Sequence, residues 1–263
     1  MNAKTQYPLV VACGFSVGLL GGLVGLGGAE FRLPLLIGLF RFEALRAVIL
    51  NKATSLVVVL AALVFRTRSI SVASLWAQWP VVAVLLSGSL LGAWVGAGWA
   101  TRLKSATLHR VLAGLLVAIA VALLFGHGDG HPGETSALGP ARVGGGVAAG
   151  FGIGAVASLM GVAGGELLIP TIVLLFGIDV RLAGSLSLAV SLPTMLVGFA
   201  RYSCDRSFEV LREERGFVAW LALGSFGGAM VGGLLVGAVP SRILLPVLAL
   251  ILLVSAVKTW RPE

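Results

Sequence analysis

The chain has 263 residues, 58% hydrophobic and 11% charged, with 37 glycines and a net charge of +8. A soluble domain holds roughly 45–50% apolar residues, glycine included, and about 25% charged ones, so an aqueous globule is excluded and an integral membrane protein is expected. At about 20 residues per crossing the length admits roughly eight to ten segments and no sizeable soluble domain. Its positive charge is therefore read loop by loop for orientation and not as a nucleic-acid surface.

Uninterrupted apolar runs predict segments at 8–27, 31–40, 44–65, 75–99 and 107–125, then at 143–163, 167–178, 182–200, 217–237 and 243–257. The leading MNAKTQYP carries no small-residue cleavage site and runs into further membrane sequence, which predicts a first membrane segment and not a removable signal. Residues 126–141, containing GHGDGHPGETSALGP, read as a turn-rich linker between a first membrane unit (1–125) and a second (142–263). His127 and His131 in that linker, with Asp129 and Glu134, lack ligand spacing, and His109 belongs to a basic loop, so neither a metal nor a cofactor is expected. Cys13 and Cys204 lie apart with no CxxC spacing and read as packing residues. Most tryptophans, including Trp76, Trp79, Trp99, Trp220 and Trp260, fall near segment ends, as interfacial anchors do.

The two units repeat each other at a constant numbering offset of 136. GFSVGLLGGLVGLGGAEFRLPLLIGLF lies over GFGIGAVASLMGVAGGELLIPTIVLLF without a gap, matching Gly28 with Gly164, Glu30 with Glu166, Pro34 with Pro170 and Phe40 with Phe176. The offset persists to Gly88-Ser89 with Gly224-Ser225 and Gly92-Ala93 with Gly228-Ala229. Apolar bias yields chance Leu and Val matches, not aligned Glu, Pro and Gly. Duplicated halves mark secondary transporters, and the number of crossings per half sets whether they run parallel or inverted. An odd number of crossings with the N-terminus in the cytoplasm puts 12 Lys and Arg inside and 5 outside (Arg66, Arg68, Arg142, Arg181 and Arg242), with Arg32 and Lys52 embedded. Four parallel crossings per half divide them 10 to 7. The inverted arrangement is expected, with both termini cytoplasmic and the linker outside. The second segment of each half is short, since Phe31–Phe40 rises only about 15 Å against a hydrocarbon core of about 30 Å. Short broken or re-entrant helices near the midplane are expected, and a pair that dips and returns keeps the same parity as a pair that crosses twice. The fold class is thus an all-α polytopic membrane protein made of two repeats of about five hydrophobic segments.

Chemistry concentrates at two glycine-rich breaks, Gly25-Leu26-Gly27-Gly28-Ala29-Glu30 before Pro34 and Gly161-Val162-Ala163-Gly164-Gly165-Glu166 before Pro170. Glycines permit left-handed backbone, and a following proline suits the first turn of a new helix. Broken backbone at membrane depth survives only where protein or a cavity surrounds it, and the exposed N–H groups of a half-helix attract anions. Gly27, Gly28, Ala29, Ala163, Gly164 and Gly165 are therefore candidate substrate contacts. Isolated glycines such as Gly92, Gly96, Gly228 and Gly232 read instead as close-packing positions. Glu30 and Glu166 are ionisable residues in apolar sequence, where a charge costs about 2.5–3.5 kcal/mol or more. Proton coupling is one role that fits them; capping a helix or pairing with a nearby cation is the other. Arg32, whose counterpart is Leu168, either neutralises an anionic substrate or pairs with Glu30. Asn51, Thr54 and Ser55 on the third segment, and Ser187, Ser191 and Thr194 on its counterpart, fall at helical offsets of three, four and seven. Their hydroxyls and amide suit oxyanion oxygens, or bond back to helix carbonyls.

The duplicated break with its proline, the NKATSL and GSLSLAVSL stretches behind it, and the all-membrane length resemble the sulfite exporter TauE/SafE family of bacterial membrane proteins, over nearly the whole chain. The resemblance implies a polytopic inner-membrane transporter of sulfite, sulfoacetate or related sulfur-containing anions, with about eight transmembrane helices. A common family break has three consecutive glycines followed by apolar residues; this chain places carboxylates there instead. The expectation is a non-enzymatic, proton-linked exporter of a small oxyanion working by alternating access in the lipid bilayer. No nucleophile, phosphate-loop or metalloprotease motif is present. An accessory membrane subunit without flux, or a carrier of a cation bound by Glu30 and Glu166, are the rival expectations.

Overall fold

The computed structural model describes residues 7–42, 44–99, 139–160, 162–202, 207–240 and 250. The expected segment 107–125, all of 243–257 but residue 250, most of the linker with its two histidines, His109, Gly161 and Cys204 lie outside the described residues. All regular structure among the described residues is helical. In order it comprises α1 (Tyr7–Val24), α2 (Ala29–Pro34) running into a π-helical turn (Leu35–Leu39), α3 (Ala44–Arg66), α4 (Val72–Ala77), α5 (Trp79–Trp99), α6 (Pro140–Met160), α7 (Gly165–Phe176), α8 (Val180–Tyr202), α9 (Ser207–Glu213) and α10 (Arg215–Leu235). Five of these helices, α1, α3, α5, α8 and α10, are long and apolar enough to cross a membrane. The chain is a multi-pass membrane protein.

The offset of 136 reappears in the helix bounds. It carries α3 onto α8 and α5 onto α10 residue for residue, and α2 onto the start of α7. The expected segment 75–99 is in fact two helices: Ser71 caps α4, its hydroxyl accepting the Ser74 N–H at 3.1 Å, and the chain turns at Gln78 before α5 begins. The counterpart α9 was likewise not anticipated, because six- or seven-residue helices beside a long apolar run leave no periodicity of their own. Trp76 and Trp79 stack at the α4–α5 corner with centroids 5.6 Å apart, and both are largely exposed, as an interfacial anchor requires.

Packing crosses between the halves. Glycines of α1 and α10 face one another so closely that a Cβ on Gly14 would lie 2.6 Å from the Leu221 carbonyl and one on Gly22 would lie 2.5 Å from that of Ala229. In return, Gly224, Gly228 and Gly232 admit the carbonyls of Val11, Phe15 and Leu19. The same contacts recur between α5 and α6: Gly88 meets Val147, Gly92 meets Phe151, Gly150 meets Leu85 and Gly154 meets Ser89. The isolated glycines are thus close-packing positions, and each half lends its first helix to the other half's later one. Between these two pairs stand α3 and α8, whose apolar faces supply Val58, Val59 and Ala62, and Leu188 and Met195, to one buried cluster.

One loop position carries strain. Gly177 ends α7 with φ 68°, and Arg41, its counterpart in the first half, adopts φ 58° after the π-helical turn. A non-glycine residue in this region costs roughly 1–2 kcal/mol, less the entropy a glycine forfeits. Arg41→Gly is therefore expected to raise stability by up to about 1 kcal/mol, and Arg41→Val to lower it. Thermal unfolding in detergent, with the two variants falling on opposite sides of the parent, checks this.

Candidate functional site

Both helix breaks form where glycine allows them. Gly28 (φ 67°) and Gly164 (φ 75°) precede α2 and α7 in left-handed geometry. The first N–H groups of a helix have no acceptor within it, and the glycine before each one has no side chain to receive them. Gly28 has no room for any other residue, since a Cβ there would stand 2.7 Å from Val17.

The two breaks lie against each other. A Cβ on Gly27 would come 2.6 Å from the Ala163 methyl, and one on Gly165 would lie 3.2 Å from the Gly25 carbonyl. Ser187 of α8 reaches across, its hydroxyl lying 2.9 Å from both the Gly25 and the Gly184 carbonyl oxygens. Asn51, the counterpart of Ser187, donates from Nδ2 to the Ala29 carbonyl at 3.1 Å, tying α3 to the first break. Each third-segment polar stripe thus grips a break, one within its own half and the other across the halves.

Arg32 is buried at 1% exposure and lies along α3: its Nη1 donates to Ser55 Oγ at 2.8 Å and to Asn51 Oδ1 at 3.3 Å. Ser191, the counterpart of Ser55, is equally buried, and its hydroxyl has no hydrogen-bond partner among the described residues. The difference follows from sequence, because Leu168 stands where Arg32 would be needed to serve it. Two expected contacts are less available. Thr54 spends its hydroxyl proton on the Leu50 carbonyl at 2.8 Å, and Thr194 is engaged by the Val190 carbonyl and by Ser89, each at 2.8 Å. Glu166 is 6% exposed in the first turn of α7, and Glu30 occupies the corresponding turn of α2.

Lys52 is also embedded, at 4% exposure, with its ammonium against α8: a Cβ on Gly198 would lie 3.2 Å from Nζ and 3.5 Å from Ser158 Oγ. This cation therefore sits among helices of both halves.

Arg66, counted in the sequence among the outside charges, is 1% exposed at the end of α3. Its Nη1 donates to the Gly22 and Leu23 carbonyls, each at 2.9 Å, its Nη2 to the Arg181 carbonyl at 2.6 Å and its Nε to Ser185 Oγ at 2.8 Å. It caps the carbonyl end of α1 just before the first break, where a cation also meets the negative end of the helix dipole. Gly184 leaves space for the guanidinium, whose Nη2 lies 2.7 Å from where a Cβ would stand. No group of three or more His, Cys, Asp or Glu among the described residues is arranged to hold a metal ion.

A family model described as Sulfite exporter TauE/SafE matches residues 9–259. No curated protein and no solved structure matches the chain.

Proposed function

The chain belongs to the sulfite exporter TauE/SafE family, and on that premise we propose that it is a proton-linked secondary transporter of a small oxyanion such as sulfite or an organosulfonate. The observation that carries this reading is the contact between two glycine-led helix breaks, one from each half, with Arg32, Ser55 and Asn51 beside them. Helix starts favour negative charge, and broken helices meeting between halves are where transporters place their substrate sites. The backbone of Gly27, Gly28 and Ala29 and of Ala163, Gly164 and Gly165, with Asn51, Ser55, Ser187, Ser191 and Arg32, would hold the anion. Thr54 serves in this scheme only as an acceptor.

The halves work as inverted repeats in alternating access, with the termini in the cytoplasm of a bacterial cell and the protein in its inner membrane. Glu30 and Glu166 exchange protons with transport. Purified protein in liposomes is expected to move labelled sulfite or sulfoacetate in response to a pH gradient, and Glu30→Gln or Glu166→Gln to abolish that dependence. Coupling that persists in both variants removes the carboxylates from the mechanism, and absence of flux for every oxyanion removes the transport reading.

A further inference from the structure

Two apolar corners of the molecule are built from corresponding residues and finished differently. At the first, Phe217 of α10 meets Phe40 and Phe42 edge-on, with centroids 5.0 and 4.9 Å apart, over Val10, Leu36, Leu50 and Leu221. At the second, which the repeat relates to it, Val81, Phe176 and Ile178 stand in those three aromatic positions. The second corner is filled: a Cβ on Gly146 would lie 2.6 Å from Val84 and 2.9 Å from the Phe176 ring. The first has Val10 where the second has Gly146, and it encloses a cavity of about 360 Å³ walled by Tyr7, Phe40, Phe42, Glu213, Arg215 and Phe217.

The carboxylate wall of that cavity is held from across the chain. Arg46, near the start of α3, lies 3.0 Å from Glu213 and 3.7 Å from Glu214, at the junction of α9 and α10. The corresponding positions at the filled corner are Leu182, Ala77 and Gln78, with no charge among them. One corner is thus joined by packing and the other by an ion pair that links the two halves through the carboxylates lining open space. These closures differ in what can undo them. Apolar packing has no competitor of matching shape in water, whereas a guanidinium accepts any oxyanion in the fork geometry it offers a carboxylate. The three side chains are 40%, 48% and 30% exposed, so exchanging one anionic partner for another requires little desolvation.

We propose that the cavity beside Phe40, Phe42 and Phe217 is a mouth of the transport pathway and that Arg46 is both its latch and its first receptor. The guanidinium trades Glu213 and Glu214 for the oxygens of an arriving oxyanion, and in doing so it releases α3 from the α9–α10 junction. Arg215 on the cavity wall supplies a second cation on the same path. The proposal rests on the transporter reading for the identity of the ligand, but the latch is testable apart from flux.

Gly216 lines the cavity, and a Cβ there meets nothing nearer than the Tyr7 hydroxyl at 3.9 Å, so Gly216→Cys in a Cys13→Ala, Cys204→Ala background places a reporter thiol in the mouth. Its maleimide labelling rate in proteoliposomes is expected to rise about two- to fivefold on Arg46→Gln, the range a partly exposed ion pair commands. Sulfoacetate, whose sulfonate does not add to maleimide as sulfite would, is expected to raise the rate in the parent and to leave it unchanged in Arg46→Gln. Combining Arg46→Glu with Glu213→Arg is expected to return the slow rate. Glu213→Gln with Glu214→Gln opens the same contact from the other side and serves if Arg46→Gln does not fold. Equal labelling in the parent and in both latch variants, or a sulfoacetate response that survives Arg46→Gln, overturns the proposal. Flux read in the same vesicles separates the two ideas: flux with unchanged labelling sinks the latch alone. The expected labelling pattern without flux of any oxyanion supports an anion-responsive latch and sinks the transport reading.

Discussion

Arg66→Met is expected to destabilise the protein by about 3 kcal/mol, the sum of several buried acceptors left unpaired less the relief of a desolvated charge. The Gly22, Leu23 and Arg181 carbonyls and the Ser185 hydroxyl all receive the guanidinium of a residue that is 1% exposed. Lysine keeps the charge but offers one ammonium where four acceptors surround a planar fork, so Arg66→Lys is expected to recover only part of the loss. Thermal unfolding of the three proteins in one detergent provides the comparison. A methionine variant as stable as the parent would show that α1 ends without needing its cap. Because that cap lies directly before the first break, the surviving fraction of Arg66→Met is also expected to bind oxyanion more weakly, although Arg66 touches no part of the proposed anion site.

The second large effect is steric. Gly228→Leu or Gly92→Leu sets a side chain against the carbonyl of Phe15 or of Phe151. Backbone cannot change rotamer as a side chain can, so the helices must separate and forfeit the contacts along the whole seam. A cost of about 3 kcal/mol or more is expected, above the usual range for overpacking. Gly152→Leu supplies the control: it shares α6 with the second seam, yet a Cβ there meets nothing within 4 Å. Its yield and unfolding temperature should match the parent. Equal loss at Gly152 would mean that leucine in a glycine-rich helix, and not the seam, is responsible.

These residues show what was legible beforehand. Most of what recurs was visible, the short helices α4 and α9 excepted: the constant offset revealed the breaks and the paired long helices, and it recurs in the seams, as when Gly92 and Gly228 both receive a phenylalanine carbonyl. Some of what occurs once was hidden. Arg66 corresponds to Tyr202 and Arg46 to Leu182, so comparing the halves sets both aside as noise, and a lone arginine at the end of an apolar run looks like an ordinary loop charge. Only the folded chain brings Arg66 back to the carbonyls of α1, two helices earlier, and forward to Ser185 in the other half. The hydroxyl stripes were visible as stripes, but periodicity says nothing about which hydroxyl turns back on its own helix. Thr54 does so, while Ser187 crosses to Gly25.

The exchange of first helices between the halves also governs the order of synthesis. The partner of α1 is α10, which leaves the ribosome about 200 residues later, a wait of about 10–40 s at 5–20 residues per second. During that interval the glycine face of α1 stands open to lipid or to a neighbouring chain, and α5 waits more briefly for α6. Neither half can close its seams alone, so assembly finishes only once nearly the whole chain has entered the bilayer. Halves made as separate polypeptides would have to find each other through these same two seams, which makes co-expression of the split chain a direct reading of how much each seam contributes.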